Sequence, residues 1–367
     1  MYTSDIHKEY MSYALELAKK GRGKVSPNPL VGCVIVKNGK IIGEGFHEKF
    51  GSNHAEVNAF NNCSESPIDA DLYVNLEPCS FYGKTPPCVD AIISNSIKNV
   101  FIGNLDPNDE VNGKGIKKLQ NARINVYKDI LSDECFELNI GFYHWIKTGK
   151  PWVIAKVAQS KDGFLGVSPN KTTSITGNDS KHEVHKLRSK VDAILVGRRT
   201  AEIDNPQLTV RKVLGPNPIR VIADTYRKLP LTLNLFNDNA SKNIVLCSQD
   251  VFDNSKTSFC EYLSVKLDGP RGNVRGHKFM DPHNILEVLG KSGITTLIIE
   301  GGMKLLNSFI RYDLIDEMHI YTSNDIIKSS KLKNPLKIND DWNITKEKDF
   351  ENDSLIVARR KELCLQE

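Results

Sequence analysis

The sequence NLEPCSFYGKTPPC, residues 75–88, ends a hydrophobic run with a Pro-Cys pair and places a second cysteine after eight intervening residues. Two cysteines this close could form a disulfide, pack as ordinary buried thiols or bind a metal. The chain of 367 residues carries only eight cysteines, whereas disulfide-stabilised proteins are short and rich in cysteine. This composition favours a reducing compartment, and a disulfide between Cys79 and Cys88 is the least favoured of the three interpretations.

The tripeptide His54-Ala55-Glu56, upstream of this stretch, favours a metal site. A histidine alone is more often a surface residue, and a cysteine alone is more often a small buried thiol. Two thiolates and one imidazole suit zinc, whose catalytic sites use three protein ligands and leave a fourth position to water. Glu56 is then free to take a proton from that water and deliver it to a leaving amine. The pattern H-x-E followed by P-C-x-x-C is typical of zinc deaminases, although the cysteines are further apart here.

Helix and strand patterns alternate around these residues. The first 20 residues predict an amphipathic helix that Ser4 can cap, and Asn38-Gly39 between two β-rich runs predicts a hairpin with a type I′ turn. Further helices are expected at HAEVNAFNN, at PPCVDAIISNSI and from about 131 to 147, and strands at ADLYVNLEP, NVFIGNLDPN and INVYKD. Residues 1–147 therefore predict a three-layer α/β domain with a mixed sheet.

Residues 148–367 restart the alternation and predict a second α/β domain. WVIAKVAQ predicts a strand and DSKHEVHKLRSKV a helix, and four short buried strands are expected at AILVG, IRVIAD, NIVLCS and TTLIIEGG. The glycines of EGG, residues 300–302, could admit a phosphate at a helix N-terminus or form a plain tight turn. The arginines between 197 and 211 fit a solvated face or an anion site, and no G-x-G-x-x-G fingerprint is present.

Charge and hydropathy exclude several classes of protein. Forty-nine basic and forty-five acidic residues leave a net charge of +4, too small to indicate binding to nucleic acid or membranes. No apolar run approaches the roughly 20 residues that a membrane helix needs. The N-terminal segment has acidic residues early and no apolar stretch followed by a cleavage site, so we expect a cytoplasmic protein.

Three stretches of the first half, SPNPLVGCVIVKNGKIIGEGFH, NHAEVNAF and NLEPCSFYGKTPPCVDAII, together resemble the deaminase half of the RibD family of bacterial riboflavin biosynthesis enzymes. DNPQLTVR, IRVIAD and IIEGG are similar to the reductase half of that family, which is related in fold to dihydrofolate reductase. The resemblance implies a cytidine-deaminase-like αβα domain in which His54, Cys79 and Cys88 bind zinc and Glu56 transfers protons. It also implies hydrolytic deamination of a phosphoribosylaminopyrimidine and NADPH-dependent reduction of the ribosyl group to ribityl.

The same resemblance implies a set of binding residues and an assembly. NADPH contacts would fall on Ala158, Ser174, Thr200, Asp204, Thr225, Gly302, Met303, Lys304, Leu305, Leu306, Asn307 and Ser308. Substrate contacts would fall on Asn28, Lys156, Thr172, Arg188, Leu208, Arg211 and Glu300, and the LDPN loop, residues 105–108, would help form the pyrimidine pocket. Many family members have tryptophan where this chain has Ser174. A dimer or tetramer formed through the reductase half is also implied.

Three alternatives remain at this stage. A zinc nucleoside or tRNA-type deaminase with an inactive or divergent second domain would use the same metal site, but the small net charge and the lack of an aromatic-basic stripe argue against a nucleic-acid substrate. A structural zinc module would normally ligate its metal entirely with protein groups and would leave no use for Glu56. The third alternative is that only one half is active.

Overall fold

The computed structural model describes residues 5–82, 86–253, 257, 259–268 and 279–361. The predicted helix cap Ser4 lies outside these residues. The chain divides into two compact units, Met1–Thr148 and Gly149–Glu367. Among the described residues, no helix has the length and apolarity that a membrane span requires.

The first unit contains a five-stranded mixed sheet with the strand order β2-β1-β3-β4-β5. Its strands are β1 (Gly32–Lys37), β2 (Lys40–Phe46), β3 (Asp71–Leu76), β4 (Asn99–Asn104) and β5 (Asn125–Tyr127). β1 is antiparallel to β2 and β3, whereas β3, β4 and β5 run parallel. Asn38 and Gly39 join β1 to β2 with positive φ angles of 51° and 75°, which confirms the predicted hairpin turn.

Helices cover both faces of this sheet. They are α1 (Asp5–Lys19), α2 (Ala55–Asn61), α3 (Cys88–Ser94), α4 (Lys114–Asn121), α5 (Ser132–Leu138) and α6 (Ile140–Thr148). Alternate side chains of β1 face opposite layers: Ile35 packs in the core with α2 and α3, and Val34 packs in the core with α1. The three-layer prediction for this unit is therefore confirmed.

The single helix expected from about 131 to 147 is wrong, because two helices meet there at Asn139. The Asn139 side chain accepts a hydrogen bond from the Leu30 amide at 2.8 Å and donates one to the Leu30 carbonyl at 2.9 Å. A short polar side chain that bonds to a distant backbone competes with helix continuation. The break follows from this contact with the segment before β1.

The second unit contains a nine-stranded sheet with the order β10-β9-β8-β7-β11-β6-β12-β14-β13. Its strands are β6 (Trp152–Gln159), β7 (Ala193–Gly197), β8 (Ile219–Ala223), β9 (Asn243–Ser248), β10 (Glu261–Val265), β11 (Thr296–Ile299), β12 (Glu317–Ser323), β13 (Trp342–Asp349) and β14 (Asp353–Arg360). The seven strands from β10 to β12 in this order run parallel, and β14 is antiparallel to both β12 and β13.

The helices of the second unit are α7 (Asn178–Arg188), α8 (Arg198–Asp204), α9 (Asn234–Asn237), α10 (Pro282–Lys291) and α11 (Met303–Arg311). β7 is buried on both sides: Leu195 joins one hydrophobic cluster, and Ile194 and Val196 join another. Because β6, β11, β7 and β8 are parallel neighbours, their carboxyl ends lie along one edge of the sheet. The segments that follow these strands, loops and the helices α7, α8 and α11, carry most of the residues expected to bind ligands.

Candidate functional site

Three separated segments bring His54, Cys79 and Cys88 together. His54 immediately precedes α2, Cys79 follows β3 and Cys88 begins α3. Their nitrogen and sulfur atoms all lie within 4.8 Å of one another, with His54 Nδ1 at 3.2 Å from Cys88 Sγ and 3.5 Å from Cys79 Sγ. Tetrahedral zinc with ordinary bond lengths separates a nitrogen and a sulfur ligand by about 3.6 Å. The donor types and their spacing therefore fit zinc.

The three groups form one proton-sharing network. The hydrogen bond with Cys79 is the main cause that raises the pKa of His54 to about 8, and hydrogen bonding from Cys88 lowers the pKa of the Cys79 thiol. The pKa of Cys88 is raised in turn, chiefly by its hydrogen bond with Cys79. Metal ligands of these types bind in their deprotonated forms, so a cation at this position would displace the shared protons.

Glu56 lies in the first turn of α2 and is buried, with 3% of its surface exposed. Burial raises the pKa of its carboxyl above the ordinary value. The helix that carries Glu56 packs closely on β2 because residue 45 is glycine: a Cβ there would lie 2.3 Å from the Ala59 nitrogen and 2.5 Å from the Ala55 carbonyl oxygen. This close packing places the Glu56 carboxyl beside the His54 and cysteine cluster.

Asn28 reaches the same region through His47. Its Nδ2 lies 3.0 Å from His47 Nε2, and His47 Nδ1 lies 3.0 Å from the Asn53 carbonyl oxygen. If Asn28 donates to Nε2, a neutral His47 ring carries its hydrogen on Nδ1 and donates it to the Asn53 carbonyl. Burial lowers the pKa of His47, which favours this neutral form. The His47 ring packs edge-on against His54 with 5.5 Å between centroids. His47 was not identified from the sequence, although it is the last residue of the motif SPNPLVGCVIVKNGKIIGEGFH.

The predicted LDPN loop follows β4, the strand beside β3. The hydroxyl of Tyr143 donates a hydrogen bond to the Leu105 carbonyl at 3.1 Å. Burial raises the pKa of Asp106 to about 6, and the negative charges of Glu77 and Cys79 act in the same direction. Asp106 therefore lies within electrostatic range of the cysteine that follows β3.

In the second unit, Arg188, Glu300 and Lys156 form a buried charge cluster. Arg188 Nε and Nη2 donate to the two carboxylate oxygens of Glu300, both at 2.8 Å, and Lys156 Nζ lies 3.8 Å from the same carboxylate. Burial opposes ionisation of Glu300, but the charges of Arg188 and Lys156 outweigh it and hold its pKa at about 2. Burial also lowers the pKa of Lys156. One carboxylate, that of Glu300, therefore holds two cationic side chains close together, Arg188 through hydrogen bonds and Lys156 through its charge.

Arg211 lies close to this cluster. Its amide donates a hydrogen bond to His185 Nδ1 at 3.0 Å, and its guanidinium donates one to Gln207. Burial, together with the positive charges of Arg188 and Arg211, holds the pKa of His185 at about 4. His185 is therefore a neutral acceptor near pH 7, and it was not identified from the sequence.

Gly197 and Gly302 lie close together at the carboxyl ends of β7 and β11. Gly301 and Gly302 have φ angles of +100° and +82°, which side-chain-bearing residues rarely adopt. A Cβ on Gly302 would lie 3.5 Å from both the Gly197 nitrogen and the Thr200 hydroxyl oxygen. Two backbone turns therefore approach each other closely beside α11, as in a site that receives a phosphate group.

The remaining predicted residues have varied surroundings. Thr172 donates a hydrogen bond to the Asp204 carboxylate, and Ser174 accepts one from Lys181 at 3.1 Å. Leu208 and Leu306 are buried in hydrophobic clusters, so their backbones are the parts available to a ligand. Other positions are Ala158 beside Val184, Thr225 after β8 with its carbonyl bonded to Ser248, and Met303, Lys304, Leu305, Asn307 and Ser308 in the first two turns of α11.

Comparisons with known proteins match both halves of the chain. Residues 4–104 match the cytidine and deoxycytidylate deaminase zinc-binding region, and residues 151–327 match the RibD C-terminal domain. The riboflavin biosynthesis protein RibD of Actinobacillus pleuropneumoniae is 37% identical over 328 residues, which cover 89% of this chain and 86% of that protein. RibD of Aquifex aeolicus is 39% identical over 325 residues, covering 88% of each chain.

Solved structures give the same result. A diaminohydroxyphosphoribosylaminopyrimidine deaminase and 5-amino-6-(5-phosphoribosylamino)uracil reductase from Thermotoga maritima superposes with a TM-score of 0.84 at 32% identity, covering 97% of this chain and 99% of that one. RibD of Acinetobacter baumannii superposes with a TM-score of 0.81 at 32% identity and the same coverage. The similarity extends over nearly the whole chain.

Proposed function

The chain belongs to the RibD family, and we propose how its residues divide the two activities of that family between them. The protein is a bifunctional enzyme of riboflavin biosynthesis, a zinc-dependent deaminase and an NADPH-dependent reductase. Our proposal assigns deamination to residues 1–147 and reduction to residues 148–367. The proposed substrate is the diaminohydroxyphosphoribosylaminopyrimidine for which the Thermotoga maritima relative is named, and the deaminated product is the substrate of the second half.

In the first half, we assign zinc to His54, Cys79 and Cys88 and proton transfer to Glu56. When bound, zinc makes a water molecule nucleophilic near neutral pH. Glu56 takes a proton from the attacking water and delivers it to the departing amino group, so that a ring C–N bond is replaced by C=O and ammonia leaves. The burial of Glu56 beside the three proposed ligands supports this role, because burial raises the pKa of its carboxyl and so favours uptake of a proton. Asn28, held by His47, orients the pyrimidine ring.

In the second half, we assign the substrate to the cluster of Lys156, Arg188 and Glu300, with Arg211, Thr172 and Leu208 around it. NADPH, when bound, supplies a hydride that converts the ribosyl group to ribityl. Glu300 accepts two hydrogen bonds from Arg188 and so fixes the orientation of its guanidinium. The guanidinium groups of Arg188 and Arg211 together suit the binding of a phosphate group. Lys156 suits proton donation to the reduced ribose oxygen, since burial lowers its pKa and so favours release of its proton.

The cofactor is assigned to the region around Gly302, Thr200 and the first two turns of α11. A Cβ on Gly302 would lie 3.5 Å from the Thr200 hydroxyl oxygen, so these two residues are neighbours where β7 and β11 end. The remaining proposed cofactor contacts, Ala158, Ser174, Asp204 and Thr225, come from the family resemblance. We further propose a cytoplasmic homo-oligomer, dimeric or tetrameric, whose substrates are small molecules. The tRNA-type alternative is not favoured, because relatives match across both halves of the chain.

One observation carries the deaminase assignment. The imidazole nitrogen of His54 and the sulfur atoms of Cys79 and Cys88 come from separate segments and lie within 4.8 Å of one another, beside the buried carboxyl of Glu56. A coupled assay that follows ammonia release and NADPH oxidation tests it. Glu56→Gln should retain zinc and lose ammonia release, yet oxidise NADPH normally when the deaminated product is supplied. Cys88→Ser should lose zinc.

Three results would contradict these assignments. Zinc retained in full by Cys88→Ser would remove that residue from the ligand set. Ammonia release at the wild-type rate by Glu56→Gln would assign proton transfer to another group. Equal use of NADH and NADPH would overturn the cofactor preference.

A further inference from the structure

Glu77 is a buried carboxylate that binds four backbone amides, two in the loop after β4 and two in the first turn of α4. Only 3% of its surface is exposed. Its Oε2 accepts hydrogen bonds from the amides of Asp106 at 3.4 Å and Gly113 at 3.0 Å. Its Oε1 accepts from Gly115 at 3.1 Å and Ile116 at 3.4 Å. The carboxylate therefore joins both ends of the segment from residue 106 to residue 116.

The sheet places this carboxylate next to the proposed zinc centre. Glu77 follows β3 directly and precedes Cys79 by two residues. The loop of residues 105–116 follows β4, the parallel neighbour of β3, and the Glu77 amide donates to the Asn104 carbonyl at 2.9 Å. The carboxyl ends of the two strands thus bring the loop beside the segment that carries Cys79.

Two further contacts hold α4, which ends this loop, against the same segment. Gly115 lies so close that a Cβ there would be 2.5 Å from the Pro78 carbonyl oxygen. Lys118 Nζ donates to the Ser80 carbonyl at 2.9 Å. Unbonded amides of a first helical turn carry partial positive charge, and the Glu77 carboxylate satisfies those of Gly115 and Ile116.

We infer that Glu77 is a positioning residue for deamination, which holds the 105–116 loop against the Cys79 segment as one wall of the pyrimidine pocket. This inference rests on the proposed function, because that proposal makes residues 105–108 part of the pocket. Glu77 acts through the loop: its two oxygens are already engaged with backbone amides. Its removal should therefore weaken substrate binding more than it slows the chemical step.

Glu77→Gln is the sharpest test in the full-length protein. The substitution keeps the shape but replaces one acceptor oxygen by an NH₂ group that faces two N–H donors. We expect the deaminase KM to rise by about tenfold or more, with a smaller change in kcat, since the loss falls on binding. Zinc content and NADPH oxidation of supplied deaminated product should be unchanged. Amide hydrogen exchange should accelerate within 105–116 and not in β3.

Ser132→Ala is the matched control. It removes the 2.8 Å hydrogen bond from the Ser132 hydroxyl to Oδ1 of Asn104, the last residue of β4 before the same loop. It should lower stability and leave the deaminase KM unchanged. If Glu77→Gln does not accumulate as folded protein, Glu77→Asp replaces it, because a side chain shorter by one methylene keeps the charge but cannot reach both pairs of amides. The same rise in KM is expected.

Three outcomes would overturn the inference. A folded Glu77 variant with the wild-type KM would show that the loop needs no such anchor. A rise in KM matched by loss of zinc would make Glu77 a support of the metal site instead. Wild-type protein that binds zinc but releases no ammonia would refute the deaminase assignment, and with it any role of Glu77 in deamination; the first two outcomes leave that assignment intact.

Discussion

Replacement of Glu300 by glutamine should destabilise the second unit by about 3 kcal/mol at pH 7. The carboxyl has a pKa of about 2 in the folded protein, against an ordinary value of 4.5. Each unit of pKa corresponds to about 1.4 kcal/mol, so a difference of roughly 2.5 units is worth at most about 3–4 kcal/mol. The side chain is only 6% exposed, which leaves little screening by water. Removal of one partner from a buried ion pair costs a similar amount, about 3–5 kcal/mol.

The sign of the pH dependence follows from the lowered pKa. A carboxyl that is more acidic when folded stabilises the protein above its unfolded pKa of about 4.5 and loses this contribution as the pH falls towards 2. The stability difference between wild type and Glu300→Gln should therefore be full at pH 7 and shrink below about pH 4.5. Urea unfolding of both proteins at several pH values measures it, and in a thermal scan the loss corresponds to about 6–12 °C.

Two further variants make the test specific. Glu287→Gln changes an exposed carboxylate on α10 in the same unit and should cost less than about 0.5 kcal/mol. Arg188→Met combined with Glu300→Gln removes both members of the bidentate pair, so the double variant should lose less than the sum of the single losses. A loss below about 1 kcal/mol in Glu300→Gln, or a loss independent of pH, would refute the reasoning.

Three other predictions concern packing, titration and the metal. Gly45→Ala places a Cβ 2.3 Å from the Ala59 nitrogen, so α2 must shift; we expect a loss of about 1–3 kcal/mol in thermal unfolding and reduced zinc content. His185 has a pKa of about 4 when folded against 6.5 ordinarily, so wild-type stability should fall on acidification from pH 6.5 to 4. His185→Asn keeps an acceptor for the Arg211 amide without titrating, and urea unfolding should show a flatter profile over that range. Chelation of zinc should abolish ammonia release and leave NADPH oxidation of supplied deaminated product unchanged.

Local signals in the sequence predicted the elements whose cause is local. The Asn38-Gly39 turn follows from the φ preferences of two residues, and β6, β7 and β11 follow from short runs of branched apolar side chains. The break between α5 and α6 has a distant cause, the hydrogen bonds from Asn139 to Leu30. β13 was missed because it is largely exposed and rich in charge, with neither the apolar run nor the regular alternation that marks a strand.

The candidate residues of the two units also differ in whether a local signal in the sequence predicts their contacts. The H-A-E and P-C motifs place a histidine, a carboxyl and a thiol in short segments of distinctive spacing, so the cluster that could hold a metal was predictable. Arg188 and Glu300 are separated by 112 residues and meet only because the fold brings the end of α7 to the residue that follows β11. Glu77 was not predicted to have a role. Its partners are backbone amides, which no pattern of side chains in the sequence reveals.

Glu77 and Glu300 are both buried carboxylates that directly follow a parallel strand, but they have different kinds of partner. Glu77 binds backbone amides, whose positions change only if the loop itself moves. Glu300 binds the ends of two flexible cationic side chains, and the 3.8 Å distance to Lys156 Nζ is longer than a hydrogen bond. An anionic substrate would therefore compete with Glu300 for Lys156 more readily than for Arg188, which donates two hydrogen bonds of 2.8 Å to the same carboxylate. We therefore expect the loop held by Glu77 to keep its position when the proposed pyrimidine substrate binds, and the Lys156 side chain to be the part of the charge cluster that moves when a sugar phosphate binds.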